Sequence, residues 1–542
     1  MAGFAFTPAT GVDCVSYRTS WRFCILEPMK LSSYLLRFCA TCMLLGGMTV
    51  THAYVDSSIA ATTTREQLAT AISEQIQQPR FDAASWGIAV VSLDTGRTLY
   101  AHDADRLLQP ASTAKLYTAA LVLDTIGTDY RIPTQLLATR QVIQGRLEGP
   151  LILRGMGDPT LGTLDTNMDW ADQLAEQLVA SGVHEVQGDL VADDSYFQGP
   201  QTGSGWEARD LQSWFAVPAS ALSVQENVAD LTVAPANAPG HPASLMLDPP
   251  GTLLHVVNNL ETGAHDAHSD INLYRAPGDT SLYAFGTIAA HTQPQTYKLA
   301  MADPAWYAGS RLRDALERRG IRVHGNLRVR HWPEPDNTDL GKAVVLAQVL
   351  SPPVMDILDR GLKRSQNLYL QNLLQIAGVK AQASAEQSGD PPPGFLSSDA
   401  WGIRALKQLL DRIGITPGMA QIDDGAGLSR QDLSTANAMA HLLTYLARQP
   451  YGDTLRNALP SAGVDGTLEW RMRNTAATDN VHAKTGSMGN VRCLVGYVTT
   501  AGGEHLAFAI MLNNFVRGEG EPSPSRNLDA IVELLAEFRG KS

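Results

Sequence analysis

Apolar residues recur at helical spacing over residues 62–77, which predicts an amphipathic first helix. An apolar run of strand length, 86–93, follows it. Asp94-Thr95-Gly96 supplies a turn and 97–101 returns as a second strand, the signature of a hairpin. Residues 103–109 are polar and deliver the chain to Ser112. From there a second helix carries Leu116, Ala119, Ala120, Leu121 and Leu123 and ends near Gly127. Strand-like runs dominate next, at 151–154 before a turn at 155–159 and again at 188–195. Between them 168–180 is helical, with Leu174, Leu178 and Val179 on one side. Residues 200–300 are rich in Pro, Gly, Asn and Thr and alternate briefly, as at 252–257, which predicts small β structure. A helix over 305–319 and a linker over 332–339, with Pro333 and Pro335, close this middle part.

The pattern changes again from Val344. Helices are predicted over 353–362 and from Ser365 through Leu368, Leu370, Leu373 and Leu374. Residues 381–398 are polar, contain Pro391, Pro392 and Pro393, and read as an exposed loop. Two further helices lead to apolar strands at 491–498 and 506–512, and a last helix carries Ile531, Leu534, Leu535 and Phe538. The early strands need partners, and the late ones are the available neighbours. One α/β domain built from both ends of the chain is therefore expected, 54–135 with 341–542, and 136–340 is inserted.

At 542 residues the chain exceeds a single ordinary core. Its 44% hydrophobic and 18% charged content is that of a globular protein, and a net charge of −13 argues against nucleic acid as a partner. Four of the five cysteines, Cys14, Cys24, Cys39 and Cys42, precede residue 54. Lys30 and Arg37 flank an apolar run over 38–50, followed by Thr51-His52-Ala53, which reads as a secretory signal peptide over 1–53. Residues 1–28 fit poorly ahead of that leader, so Met29 is the alternative start. Secretion through a cleaved leader predicts a periplasmic protein with one thiol, Cys493, in an apolar strand where it serves as a small hydrophobe.

Three short motifs fall on these elements in order: Ser112-x-x-Lys115, Ser365-Gln366-Asn367, and Lys484-Thr485-Gly486 followed by Ser487. Each alone has an ordinary structural reading, as a helix N-cap, a solvated lysine or a strand entry. Together they describe one chemistry. Ser112 attacks an acyl carbonyl and Lys115, its amine pKa depressed with the help of a second cation at Lys484, takes the proton. Ser365 relays a proton to the leaving amine, and Asn367 orients Lys115 and the substrate amide. Lys484, Thr485 and Ser487 suit a substrate carboxylate, and the backbone N–H groups of Ser112 and Ser487 suit an oxyanion. No H-E-x-x-H, pair of C-x-x-C motifs, P-loop, Rossmann fingerprint or G-x-S-x-G competes, and no metal or organic cofactor is expected.

Beyond the triplets, the chain resembles the penicillin-binding protein 4 type of D-alanyl-D-alanine carboxypeptidase/endopeptidase, peptidase family S13. The likeness spans ~65–540. It rests on Gly157-Asp158-Pro159-Thr160-Leu161, Gly188-Asp189-Leu190, Asp193-Asp194-Ser195-Tyr196-Phe197, Ala221-Leu222-Ser223 with Glu226-Asn227, Arg364 to Tyr369, Asp424 to Arg430, and Ala483 to Ser487. The resemblance implies a penicillin-binding, serine β-lactamase-like catalytic domain with two smaller, β-rich domains inserted. That agrees with the 253 positions between Ser112 and Ser365 and disfavours a class A β-lactamase, which has no such insert. It implies cleavage of the terminal D-Ala-D-Ala bond of peptidoglycan stem peptides and of D-Ala–diaminopimelate cross-links, with β-lactams as covalent inhibitors. It also implies that Arg430 meets the diaminopimelate carboxylate and Asp193 its ammonium. Gln366, where Asp or Asn is usual, and Ala426, where Ser is usual, depart from the family pattern. A β-lactam hydrolase or esterase on the same domain is the enzymatic alternative. A non-catalytic penicillin-binding scaffold is the other, and the five intact motif residues argue against it.

Overall fold

Strand Ser85–Ser92 is apolar over most of its length, so both of its edges and both of its faces must be covered. In the computed structural model, which describes residues 63–164, 168–334, 340–389 and 392–542, its partners come from opposite ends of the chain. Thr98–His102 pairs with one edge through the hairpin, and His505–Asn513 with the other. Val491–Thr499 and His482–Met488 complete a five-stranded antiparallel sheet. The expected leader over 1–53, with its cysteines and Met29, lies outside the described residues, as do Thr62, Pro335 and Pro391.

Side chains on a strand alternate between faces, and here both faces are buried. On one, helices Arg65–Ile76 and Ser525–Glu537 place Leu68, Ile72, Leu528, Ile531 and Leu535 against Ile88, Leu494 and Phe508. Thr64 and Gln67 form a capping box that starts the first of these helices. On the other face, Tyr117, Leu121, Leu370, Leu373, Met439 and Leu442 pack with Ala89, Val495 and Ala509. They belong to helices Lys115–Thr125, Asn367–Ser388 and Ala436–Ala447. Two-sided burial is why 506–512 reads as an unbroken apolar run.

The inserted part is organised on a second five-stranded sheet, in the order Leu327–Arg330, Leu190–Asp193, Leu151–Gly155, Arg131–Ala138, Val344–Pro353. Helices Trp170–Ala180 and Pro304–Arg318 contribute Leu174, Leu178, Leu312 and Leu316 to its core. Arg131–Ala138 and Val344–Pro353 pair with each other, so this sheet takes in residues on both sides of the expected 136–340 insert. Two three-stranded sheets lie further along the insert and share a core of Leu231, Val233, Leu260, Leu282 and Ile288.

The polar segment after Ala381 departs from its reading. The loop expected over 381–398 is helical as far as Ser388, where Gly389 ends the helix in a left-handed cap, and a new helix starts at Ser398. Residues 381–388 are Ala, Gln, Ser and Glu, good or neutral helix formers without an apolar stripe to announce them.

Candidate active site

Ser112 sits on a tight 3-10 turn, Ala111–Ala114, that runs directly into helix Lys115–Thr125. Ala111, just before it, has φ 48°, a left-handed conformation that a Cβ-bearing residue adopts only under constraint. Two glycines supply that constraint by letting backbone press on the turn. A Cβ on Gly427 would meet the Ala111 carbonyl oxygen at 2.2 Å, and one on Gly486 would meet the Pro110 oxygen at 2.5 Å. The Lys484-Thr485-Gly486 strand therefore lies against the backbone that carries Ser112.

The Lys115 amine is fully buried and lies 2.9 Å from the Ser112 hydroxyl. It donates to Asn367 Oδ1 at 2.6 Å and to the Ala426 carbonyl. Burial lowers its pKa to about 7, while Asp424 and Asp432 pull the other way. The expected push from Lys484 is not the leading cause. Burial is, and the mutual repulsion shows on Lys484, whose pKa burial first and Lys115 second drive well below the ordinary value.

Ser365 does not start a helix, as its sequence position suggested. Helix Val354–Lys363 ends in a Schellman motif: Gln366 N–H bonds to Gly361 O at 2.8 Å and Ser365 N–H to Leu362 O at 3.3 Å. Ser365 fills the left-handed slot usually given to glycine, with φ 55°, at a cost of about 1–2 kcal/mol for an L-residue. The next helix begins only at Asn367. The hydroxyl so placed accepts from Lys484 Nζ at 2.8 Å, and Lys484 also donates to Thr485 O. Asn367 Nδ2 donates to Phe215 O at 2.7 Å, so this side chain bridges Lys115 and the insert. Thr485 meets the Thr467 hydroxyl at 2.7 Å, and Ser487 stays exposed on the strand.

Arg430 is half-buried and ion-paired with Glu207 at 2.8 Å. Its guanidinium would lie 3.9 Å from a Cβ on Gly489, at the end of the Lys484-Thr485-Gly486 strand. Asp193 is not part of this constellation. It is completely buried in the inserted sheet, where Oδ2 takes Arg330 and Oδ1 takes the Ser195 N–H at 3.0 Å and its hydroxyl. Arg330 and Ser195 hold its carboxyl below its usual pKa against the burial. It is completely buried with both oxygens engaged, so the structure does not present it to a substrate ammonium.

Four insert residues reach the site that the motifs did not place there, although Glu226 belongs to one of the stretches carrying the family likeness. Trp206 Nε1 donates to Asp424 Oδ2 at 2.6 Å, and that carboxylate also accepts the N–H groups of Ala426, Gly427, Leu428 and Ser429. Asp424 thus shapes the loop whose Ala426 carbonyl holds Lys115. Asp210 has its carboxyl raised by burial and by Glu207, and feels the charge of Arg430. Phe215 and Glu226 contact the residues around Ser365. Trp206, Phe215 and Glu226 are more than 100 positions from these partners, as Asp210 is from Arg430, so no local pattern could have flagged the contacts.

Residues 68–538 match the model of the D-Ala-D-Ala carboxypeptidase 3 (S13) family. The chain belongs to this family. It is 33% identical over 476 residues to the D-alanyl-D-alanine carboxypeptidase of Actinomadura sp. (strain R39), covering 86% of this chain and 84% of that one. It is 28% identical to the D-alanyl-D-alanine carboxypeptidase DacB of Haemophilus influenzae, covering 82% and 88%. The crystal structure of penicillin binding protein 4 from H. influenzae superposes with a TM-score of 0.71 at 25% identity, over 86% of this chain and 97% of that one. The S13 likeness and the α/β penicillin-binding fold that the resemblance implied are therefore both found, and the protein is an S13 hydrolase of the D-Ala-D-Ala carboxypeptidase type.

Proposed function

We propose that this protein is a periplasmic serine DD-peptidase acting on peptidoglycan stem peptides through a Ser112 acyl-enzyme, with carboxypeptidase and endopeptidase activity. The observation that carries the reading is the buried Lys115 amine, 2.9 Å from the Ser112 hydroxyl, with a pKa near 7. A neutral amine at that place takes the hydroxyl proton as Oγ attacks the carbonyl of the penultimate D-alanine. The backbone N–H groups of Ser112 and Ser487 receive the oxyanion. A substrate carboxylate at Thr485 and Ser487 favours the cation on Lys484. Ser365 then gives its proton to the leaving amine and is resupplied by Lys484, 2.8 Å away. The C–N bond breaks, D-alanine leaves, and an ester remains on Ser112. Transfer of the proton from Lys115 back to Lys484 frees Lys115 to take one from water, which opens the ester.

Arg430 is placed for a carboxylate at the far end of the stem peptide, where it would exchange Glu207 for substrate. The acidic groups facing Arg430 are Glu207 and Asp210, and they replace Asp193 as partners for the ammonium of the same side chain. A β-lactam presents its strained amide to the same hydroxyl, in keeping with the name of the H. influenzae relative.

The test is a fluorescent penicillin, followed over time on a denaturing gel beside Ser112→Ala. Stable label on the native protein alone supports the reading. Label on neither protein overturns it, and label that forms and soon disappears indicates a β-lactam hydrolase instead.

A further inference from the structure

One carboxylate in the insert gathers the residues on both sides of Ser365. Glu226 Oε1 and Oε2 accept Arg364 Nη1 and Nη2 at 2.7 and 3.0 Å, Oε2 accepts Gln366 Nε2 at 2.9 Å, and Oε1 accepts the Tyr369 hydroxyl at 3.0 Å. Its side chain is only 14% exposed. Ser365 itself is left out of this set. It lies between Arg364 and Gln366 with φ 55°, in a conformation that nothing in its own chemistry favours.

Glu226 is itself held with unusual force. Gln225, Glu226 and Asn227 have φ of 50°, 56° and 57°, three successive left-handed residues of which none is glycine. The turn is pinned by Gln225 N–H to Leu161 O at 2.9 Å, Val224 N–H to Asn227 Oδ1 at 2.9 Å, and Asn227 Nδ2 to Pro218 O at 2.8 Å and Ser223 Oγ at 3.0 Å. An ordinary surface ion pair needs no such scaffold, since its two long side chains find each other from many backbones. Here a strained turn in one part of the chain aims a carboxylate at the strained turn of another. The departure at Gln366 fits: its amide donates to Glu226, where an Asp would bring a second carboxylate.

We propose that Glu226 is a positioning residue for Ser365, holding the left-handed Ser365 turn so that its hydroxyl stands between Lys484 and the leaving group. The inserted part thereby supplies a working piece of the active site. This rests on the role given to Ser365 above, as the group that protonates the leaving amine.

That role separates positioning from mere support of the fold. A peptide substrate expels an amine that must be protonated, whereas a thiolester with the same acyl group expels a thiolate that needs no proton. Native protein, Glu226→Ala and Glu226→Gln are compared on both substrates, with melting curves to verify folding. For Glu226→Ala the expected loss of kcat on the peptide is about 10- to 100-fold with KM changed less than about 2-fold, and the loss on the thiolester is under about 3-fold. Glu226→Gln, which keeps the shape and one acceptor oxygen, falls between native and Ala on the peptide. Should Glu226→Ala not fold, Arg364→Met is expected to show the same selective loss. Equal losses on the two substrates, or none, overturn the proposal. Native protein that hydrolyses neither substrate overturns the reading of the site, a result visible before any variant is made.

Discussion

A lysine amine completely removed from water, with a serine hydroxyl, an amide oxygen and a carbonyl as neighbours, is a base waiting for a proton. With its pKa near 7, the rate of acylation by penicillin should rise as pH passes through about 7 and level off above. Lys115→Ala should lose about 10²–10⁴-fold at every pH, read by the same label. Stability carries the same signature. The unfolded amine titrates near 10.4, so between about 7 and 10 the unfolded chain binds more protons and wild type gains stability with rising pH. Measured by denaturant, wild type should therefore gain about 2–3 kcal/mol on Lys115→Met between pH 7 and 9. At this scale the sequence was informative about identity and poor about environment. Ser112, Lys115, Ser365, Asn367 and Lys484 are brought together from three separate stretches. Asp193 is the failure, because a strand-end aspartate looks the same whether it faces a substrate or a buried arginine.

Element ends decide most of the site geometry. Ser365 occupies a Schellman slot, which predicts a dissociation of stability from activity. Ser365→Gly and Ser365→Ala both remove the hydroxyl and should both lose peptide hydrolysis. The glycine variant should nonetheless be more stable than the alanine variant by about 1 kcal/mol in thermal or denaturant melts, because only it adopts φ 55° freely. The strand bearing Gly486 gives a second test. A methyl there meets the Pro110 oxygen at 2.5 Å and must move the strand off the Ser112 turn. Gly486→Ala should slow acylation by about 10²-fold, as misplacement near 1 Å does elsewhere. Element positions were largely legible because two-sided burial makes long apolar runs. The helix through Ser388 was hidden by a polar composition, and the left-handed Ser365 was hidden because a serine before a helix normally caps it.

Across the whole molecule, the pairing of early with late strands could be argued by elimination, since each lacked any other neighbour. Contacts from the insert to the site could not, because Trp206, Phe215 and Glu226 carry no periodicity that names their partners. Trp206→Phe removes the indole donor from Asp424 and should destabilise the protein by about 1–3 kcal/mol, checked by denaturant unfolding. The sheet itself has a consequence in time. Ser85–Ser92 is made early and must wait for His505–Asn513 before one of its edges is closed, and Ser112 waits for Lys484 in the same way. A chain broken off before His482–Met488 has Ser112 but not the lysine beside Ser365. The order of synthesis therefore keeps the nucleophile of this S13 hydrolase apart from its partner lysine until the late strands are in place.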